Sequence, residues 1–223
     1  MGAFEAIIFD YDGTLFDTQP AIVHCIRRTF AQSGRPIPVL EAILPTVRSG
    51  LTLQDTFSIL DAGLRSDRSA LEEHVGIYRA IYLVESARLL RPFSGVEGVL
   101  RQIHAAGVKC LVVSNKGIVA IRRSLDETGL AAFIDLITGD EPGLPRKPDP
   151  ALITHHILPR YPLLRREKLL MVGDTEMDIQ FAKAGGISCC WASYGYGATE
   201  HCRALAPDYE ISSLEALPAL ALS

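Results

Sequence analysis

Cysteine is sparse and poorly spaced for cross-linking. The five present, Cys25, Cys110, Cys189, Cys190 and Cys202, are odd in number and form no C-x-x-C pair. That argues against a disulfide framework and against a zinc site, and fits a reducing cytosol. Long hydrophobic runs are missing as well. No apolar stretch approaches the roughly 18 to 20 residues needed to span a bilayer, and the opening MGAFEAIIFD has no basic region followed by an apolar core, so the expectation is no membrane partner, no export and a cytoplasmic location. Met1-Gly2 would begin a myristoylation motif, but that motif needs Ser or Thr at position 6, where Ala6 stands. Basic runs are also absent: 22 Lys and Arg against 26 Asp and Glu leave a net charge of -4, and nothing in that balance attracts nucleic acid or an anionic surface. There is no internal repeat and no low-complexity segment.

What is present is apolar material in short pieces. With 48% hydrophobic residues in a chain of 223, one large domain, or one domain carrying an insertion, can fill a core. The runs AIIF at 6–9, CLVV at 110–113, LITG at 136–139, LLMV at 169–172 and ISCCWAS at 187–193 each end in polar or glycine residues and read as buried parallel strands. Between them lie helical spacings, such as Val96, Val99, Leu100, Ile103 and Ile118, Ile121, Leu125. The alternation predicts an α/β fold with a doubly wound, mainly parallel, Rossmann-like sheet. From about 18 to 90 the rhythm breaks, and only helical patterns occur, through Ile22, Cys25, Ile26, Phe30, then Leu40, Ile43, Leu44, Val47, then Phe57, Leu60, then Leu71, Val75, Tyr78, Tyr82. The predicted organisation is an α/β core over 1–17 and 91–223 with a helical insertion over 18–90.

Polar residues collect where these strands run out. In IIFDYDGTLFDT, side chains alternate along the strand, so Asp10 and Asp12 can face one side at its carboxyl end, where open α/β sheets place their ligands. Asp12-Gly13 is also a strong hairpin signal, and the segment alone reads equally well either way. Asp174 follows LLMVG and suits a helix N-cap; Asp178, one helical turn on, reads as a solvated helix face or as a functional acid. Carboxylates gathered at strand ends repel unless a cation joins them, at about 4 kcal/mol per pair 4 Å apart at an effective dielectric near 20. Oxygen-only ligands favour Mg2+ over zinc. Ser114 and Asn115 are expected to end their strand and open a helix, which makes either an anion site or a simple cap. Lys147, in PRKPDP, has an extended backbone before Pro148 and reads by itself as a solvated loop lysine.

Four segments in order, FDYDGTLFDT, VVSNK, RKPDP and VGDTEMDIQFAKAGG, resemble the motifs of the haloacid dehalogenase superfamily of aspartate-nucleophile phosphatases. SNK, KPDP and the late YGYG at 194–197 followed by APDYEISSLEAL make the chain similar to the phosphoglycolate phosphatase branch along essentially its whole length. The resemblance implies that Asp10 attacks phosphorus and that Asp12 protonates the leaving oxygen and then activates water. It implies Mg2+ held by Asp10, the Asp12 carbonyl and Asp174, with Asp178 helping through a water or by orienting Asp174, and Thr14 orienting the loop. Ser114, Asn115 and Lys147 would bind the phosphoryl group. The helical insertion resembles a cap whose segment PTVRSGLTLQDTF, at 45–57, touches the leaving group; Gly50 there allows close approach, and Arg48 is either a partner for a substrate carboxylate or a solvated helix end. The implied partner is a small phosphorylated metabolite, 2-phosphoglycolate favoured, with pyrophosphate, a nucleotide monophosphate or a sugar phosphate as alternatives, acted on by a monomer or homodimer. Dehalogenases of the superfamily lack an acid at the place of Asp12. A different class, the phosphorylatable receiver module, combines similar residues but is about half this length and has no cap. His155-His156 is expected to be helix surface, Cys189-Cys190 to lie in a buried strand, and Trp191, Tyr194 and Tyr196 to anchor packing or loops.

Overall fold

A computed structural model describes residues 3–223; Met1 and Gly2, and with them the myristoylation reading, lie outside the described residues. The chain divides into two compact units. One ends at Phe16 and resumes over Pro92–Ser223, and the other is Asp17–Arg91, against an expected 18–90. The strands are β1 (Ala6–Phe9), β2 (Phe16–Asp17), β3 (Arg91–Pro92), β4 (Lys109–Gly117), β5 (Leu136–Asp140), β6 (Leu169–Gly173), β7 (Ser188–Ala192) and β8 (Tyr209–Ile211), with the two-residue β2 and β3 pairing at the boundary of the units, where the chain leaves and returns. The other six form one sheet in the order β5-β4-β1-β6-β7-β8, and every neighbouring pair is parallel. This is the Rossmann-like fold that the apolar runs predict.

The runs are continuous rather than alternating because both faces of a parallel sheet are covered. Ala6, Ile8, Leu111, Val113, Leu169, Met171, Cys189 and Trp191 bury one face against Leu152, Ile153, Ile157, Ile179, Phe181 and Cys202. The intervening Ile7, Phe9, Cys110, Val112, Leu170 and Val172 are fully buried too. All five cysteines are buried and unbridged, and burial pushes the thiols of Cys110, Cys190 and Cys202 up to about 12, which keeps them as inert core groups. One expectation fails locally, and one strand was not foreseen. His156 is buried, not surface, within a π-helical stretch, Leu152–Ile157, and its ring pairs with Arg160 at 3.0 Å; His155 is exposed. The edge strand β8 has too short an apolar signal to be read from sequence.

The second unit is helical: α1 (Gln19–Gln32), α2 (Leu40–Arg48), α3 (Leu53–Leu60), α4 (Ala62–Ser66) and α5 (Arg68–Glu85). Thr52, Asp61 and Asp67 each cap a following helix by accepting a backbone N–H at 2.7–3.1 Å. Its core is aromatic. Phe57 packs against Phe30, His74 and Tyr78, and Arg35 pairs with Asp61 at 2.7 Å. No helix among the described residues is long and apolar enough to cross a membrane.

Candidate active site

Register explains why the polar residues meet. Phe9 lies opposite Val112 on one side and Val172 on the other, so Asp10, Ser114 and Asp174 emerge close to one level at the carboxyl edge of the sheet. The Asp10 N–H donates to the Val172 carbonyl at 2.9 Å, which continues the ladder one residue past β1. The chain then turns tightly: the Tyr11 carbonyl accepts from Leu15 and Phe16, and the Gly13 N–H donates to the Phe16 carbonyl. Gly13 sits at φ +81, a conformation that favours glycine. Asp12-Gly13 is therefore a turn, but not a hairpin of the main sheet, since β1 pairs in parallel with β4 and β6.

Asp174 is completely buried, and its whole surroundings are built around it. One carboxylate oxygen accepts from the Thr14 hydroxyl at 3.1 Å and the other from the Tyr196 N–H at 2.7 Å, while its backbone carbonyl accepts from the Trp191 indole at 2.9 Å. The helix cap here is Thr175, not Asp174. Tyr194 donates its hydroxyl to the Thr14 carbonyl at 2.8 Å, so the YGYG loop is anchored to the first turn. Glycines are required by space: a Cβ on Gly195 would come within 2.2 Å of the Asp174 Cβ and 2.5 Å of the Gly13 carbonyl. Gly195→Ala is expected to cost about 1–3 kcal/mol by overpacking. Gly98→Ala, with open space around it inside α6 (Val96–Ala105), is expected to be neutral or stabilising by up to about 1 kcal/mol. Urea unfolding of the two variants checks the contrast.

Lys147 is 6% exposed, so it is no surface lysine. Its ammonium bridges Asp10 Oδ1 at 2.7 Å and Asp178 Oδ1 at 2.5 Å. Asp178 is likewise fully buried rather than solvated; its second oxygen accepts from the Thr175 N–H at 3.0 Å and hydroxyl at 2.9 Å, tying the start of α8 (Glu176–Gly185) to the site. Asn115 grips the Lys147 backbone with both ends of its amide, donating to the carbonyl at 3.0 Å and accepting the N–H at 2.9 Å. That side chain holds the lysine in place. The expectation that Ser114 and Asn115 open a helix is corrected: β4 runs on to Gly117 through a register shift after Val113, and the helix α7 (Ile118–Glu127) begins only at Ile118. Ser114 is buried at this irregular end.

Sequence reading missed Lys116. Its ammonium lies 3.0 and 3.4 Å from the two Asp12 oxygens. The signal was its place beside Ser114 and Asn115, which only the bulged end of β4 turns toward Asp12. Arg48 and Gly50 belong to the helical unit, where Arg48 ends α2 with an exposed side chain and Gly50 follows at φ +62.

Oxygens of Asp10, Asp174 and Asp178 all lie within 4.8 Å of one another, and all three residues are buried. Counting Asp12, four carboxylates face Lys147 and Lys116, an excess of two negative charges that equals the charge of one divalent cation. Burial lifts the Asp10 carboxyl to about 7 against the pull of Lys147. Burial, then the charges of Asp10 and Asp178, hold Asp174 well above the carboxylate range. Burial opposes the charge on Lys147, but Asp10 and Asp178 more than offset it and keep the ammonium protonated far above an ordinary lysine. Acids that hold protons for want of a counter-charge, converging from three strand and helix ends, fit a hard cation with oxygen ligands.

The family model for haloacid dehalogenase-like hydrolases matches residues 7–192. A plasmid-encoded phosphoglycolate phosphatase of Cupriavidus necator is 29% identical over 96% of this chain and 92% of its own length, and a phosphoglycolate phosphatase of Pseudomonas syringae pv. syringae is 31% identical over 86% of this chain and 70% of its own. The crystal structure of a haloacid dehalogenase-like hydrolase from Bacteroides fragilis superposes with a TM-score of 0.86 at 26% identity, covering 96% of this chain and 99% of that one. The chain belongs to the haloacid dehalogenase-like hydrolases, an enzyme of the phosphatase kind that is similar over most of its length to phosphoglycolate phosphatases.

Proposed function

We propose that this hydrolase is a Mg2+-dependent phosphatase that cleaves a small phosphorylated metabolite through an aspartyl phosphate formed on Asp10, with 2-phosphoglycolate the favoured substrate. The observation that carries the reading is the buried arrangement in which Lys147 lies between Asp10 and Asp178 with Asp174 alongside. A nucleophilic carboxylate needs a free oxygen, a nearby cation and protection from bulk water, and the 9% exposure of the Asp10 side chain gives it that protected setting at the sheet edge. Asp10, Asp174 and the Asp12 carbonyl would hold the metal, with Asp178 supporting; when bound, Mg2+ supplies charge neutralisation for the oxygens around phosphorus.

The chain's own residues then divide the work. Asp10 attacks phosphorus while the ester bond breaks, and Asp12 gives its proton to the departing oxygen. Asp12 next takes a proton from water, which attacks the aspartyl phosphate and releases inorganic phosphate and free Asp10. Lys147, Ser114 and the backbone N–H of Asn115 hold the phosphoryl oxygens, and Thr14 keeps Asp174 in place through their hydrogen bond. In the same reading Asp17–Arg91 is a cap, with Arg48 and Gly50 as its residues toward the substrate.

The test is release of phosphate from a panel of 2-phosphoglycolate, pyrophosphate, nucleotide monophosphates and sugar phosphates, with Mg2+ and with EDTA. The expected result is turnover that needs Mg2+ and is fastest, by kcat/KM, on 2-phosphoglycolate. A protein that releases no phosphate from any of these in Mg2+, or releases it equally well in EDTA, removes the proposal; a different best substrate removes only its choice of leaving group.

A further inference from the structure

Lys116 has no task in the mechanism above, yet it is built into the site. Its side chain is only 9% exposed, its ammonium stands 5.7 Å from the centre of the Tyr11 ring, and that ring is stacked on Phe16 and bonded through its hydroxyl to Ser124 of α7. The two lysines of the site are placed differently. Lys147 is held by two sealed carboxylates, with side chains 9% and 0% exposed. Lys116 is paired with the carboxylate of Asp12, which at 24% exposure is more open than either acid that holds Lys147. A neutral donor would orient Asp12 as well, without the cost of burying an ammonium. The positive charge gains a purpose if something negative arrives beside Asp12. The group that must arrive there is the leaving group, because Asp12 protonates its oxygen.

We propose that Lys116 is the specificity residue for an anionic leaving group: its ammonium, paired with Asp12 in the free enzyme, contacts a carboxylate carried one carbon from the ester oxygen. The inference rests on the phosphatase reading given above. A substrate atom in hydrogen-bond range of Asp12 has its neighbouring substituents within reach of a cation already touching both Asp12 oxygens. Lysine suits the task because its ammonium is a compact charge on a four-carbon stem that can turn from one carboxylate to another.

The experiment compares 2-phosphoglycolate with ethyl phosphate, which has a methyl group where the carboxylate stands, in the full-length wild type, Lys116→Met, Lys116→Arg and Arg48→Ala, all with Mg2+. For Lys116→Met the loss of kcat/KM on 2-phosphoglycolate is expected to exceed the loss on ethyl phosphate by about 10- to 100-fold, the worth of one hydrogen bond to a charged group, and to fall mainly on KM. Lys116→Arg is expected to restore part of this preference. Glycolate is expected to inhibit ethyl phosphate hydrolysis by the wild type more strongly than by Lys116→Met. Equal losses on both esters would show that Lys116 only positions Asp12, and a preference lost in Arg48→Ala but kept in Lys116→Met would move the role to Arg48; either overturns the proposal. If Lys116→Met does not fold, Lys116→Gln, which also removes the charge, takes its place and is read by the same criteria. A wild type inactive on both esters fails before any variant is compared, and takes the phosphatase reading down together with this one.

Discussion

Asp10→Asn is expected to lower phosphate release by at least about 10^4-fold while leaving the protein folded. The amide keeps the size of the side chain and its backbone bond to Val172, but it cannot attack phosphorus, and no neighbouring carboxylate stands in its place: Asp178 is committed to Lys147 and Thr175, and Asp174 to Thr14 and Tyr196. Stability is expected to move the other way. In metal-free protein the clustered acids either repel one another or hold protons against their ordinary range, and replacing one with an amide relieves part of that cost, while Lys147 keeps Asp178 as its counter-ion. The melting temperature in EDTA should therefore stay level or rise by up to about 4 °C, as about 1 kcal/mol does for a chain of this size. Wild-type turnover in a folded Asp10→Asn variant would end the assignment of Asp10 as nucleophile.

Much of this arrangement was legible before any coordinates, and the reason is physical. A parallel strand covered on both faces must be apolar throughout, so AIIF and LLMV stand out from the chain, and the first polar residue after each, Asp10 and the Gly173-Asp174 pair, marks the edge where a site can form. What was not legible depends on irregular backbone or on distant contacts. β4 continues past its apolar run through an irregular stretch at Ser114, Asn115 and Lys116 and pairs again only at Gly117 with Asp140, so a rule that ends strands at the last apolar residue starts the helix four residues too early. That stretch sends Asn115 to the backbone of Lys147 and Lys116 to Asp12, tasks invisible to local pattern. Asp178 reads as a solvated helix face because its partner, Lys147, lies 31 positions away. His156 reads as surface because a π-helical stretch changes which face its position presents.

Lys147→Met should be the most damaging single change for stability. The lysine is the counter-ion of two buried carboxylates at once, and removing one partner of a buried ion pair leaves uncompensated charge where water cannot reach it, at a cost of about 3–5 kcal/mol. Urea unfolding in EDTA should show this loss. Turnover with Mg2+ should fall by at least about 10^3-fold, since a fixed positive charge next to the transferring phosphoryl group is gone. The two effects can be separated. Adding Asp178→Asn removes one of the two charges that Lys147→Met stranded, so the double variant should recover part of the stability, and the two changes should be strongly non-additive. Activity should not return with it, because the amide restores no cation beside Asp10. A Lys147→Met protein as stable as wild type in EDTA would mean that the ammonium does not bridge these acids in solution; recovery of activity along with stability in the double variant would mean that Lys147 serves the fold and not the phosphoryl group.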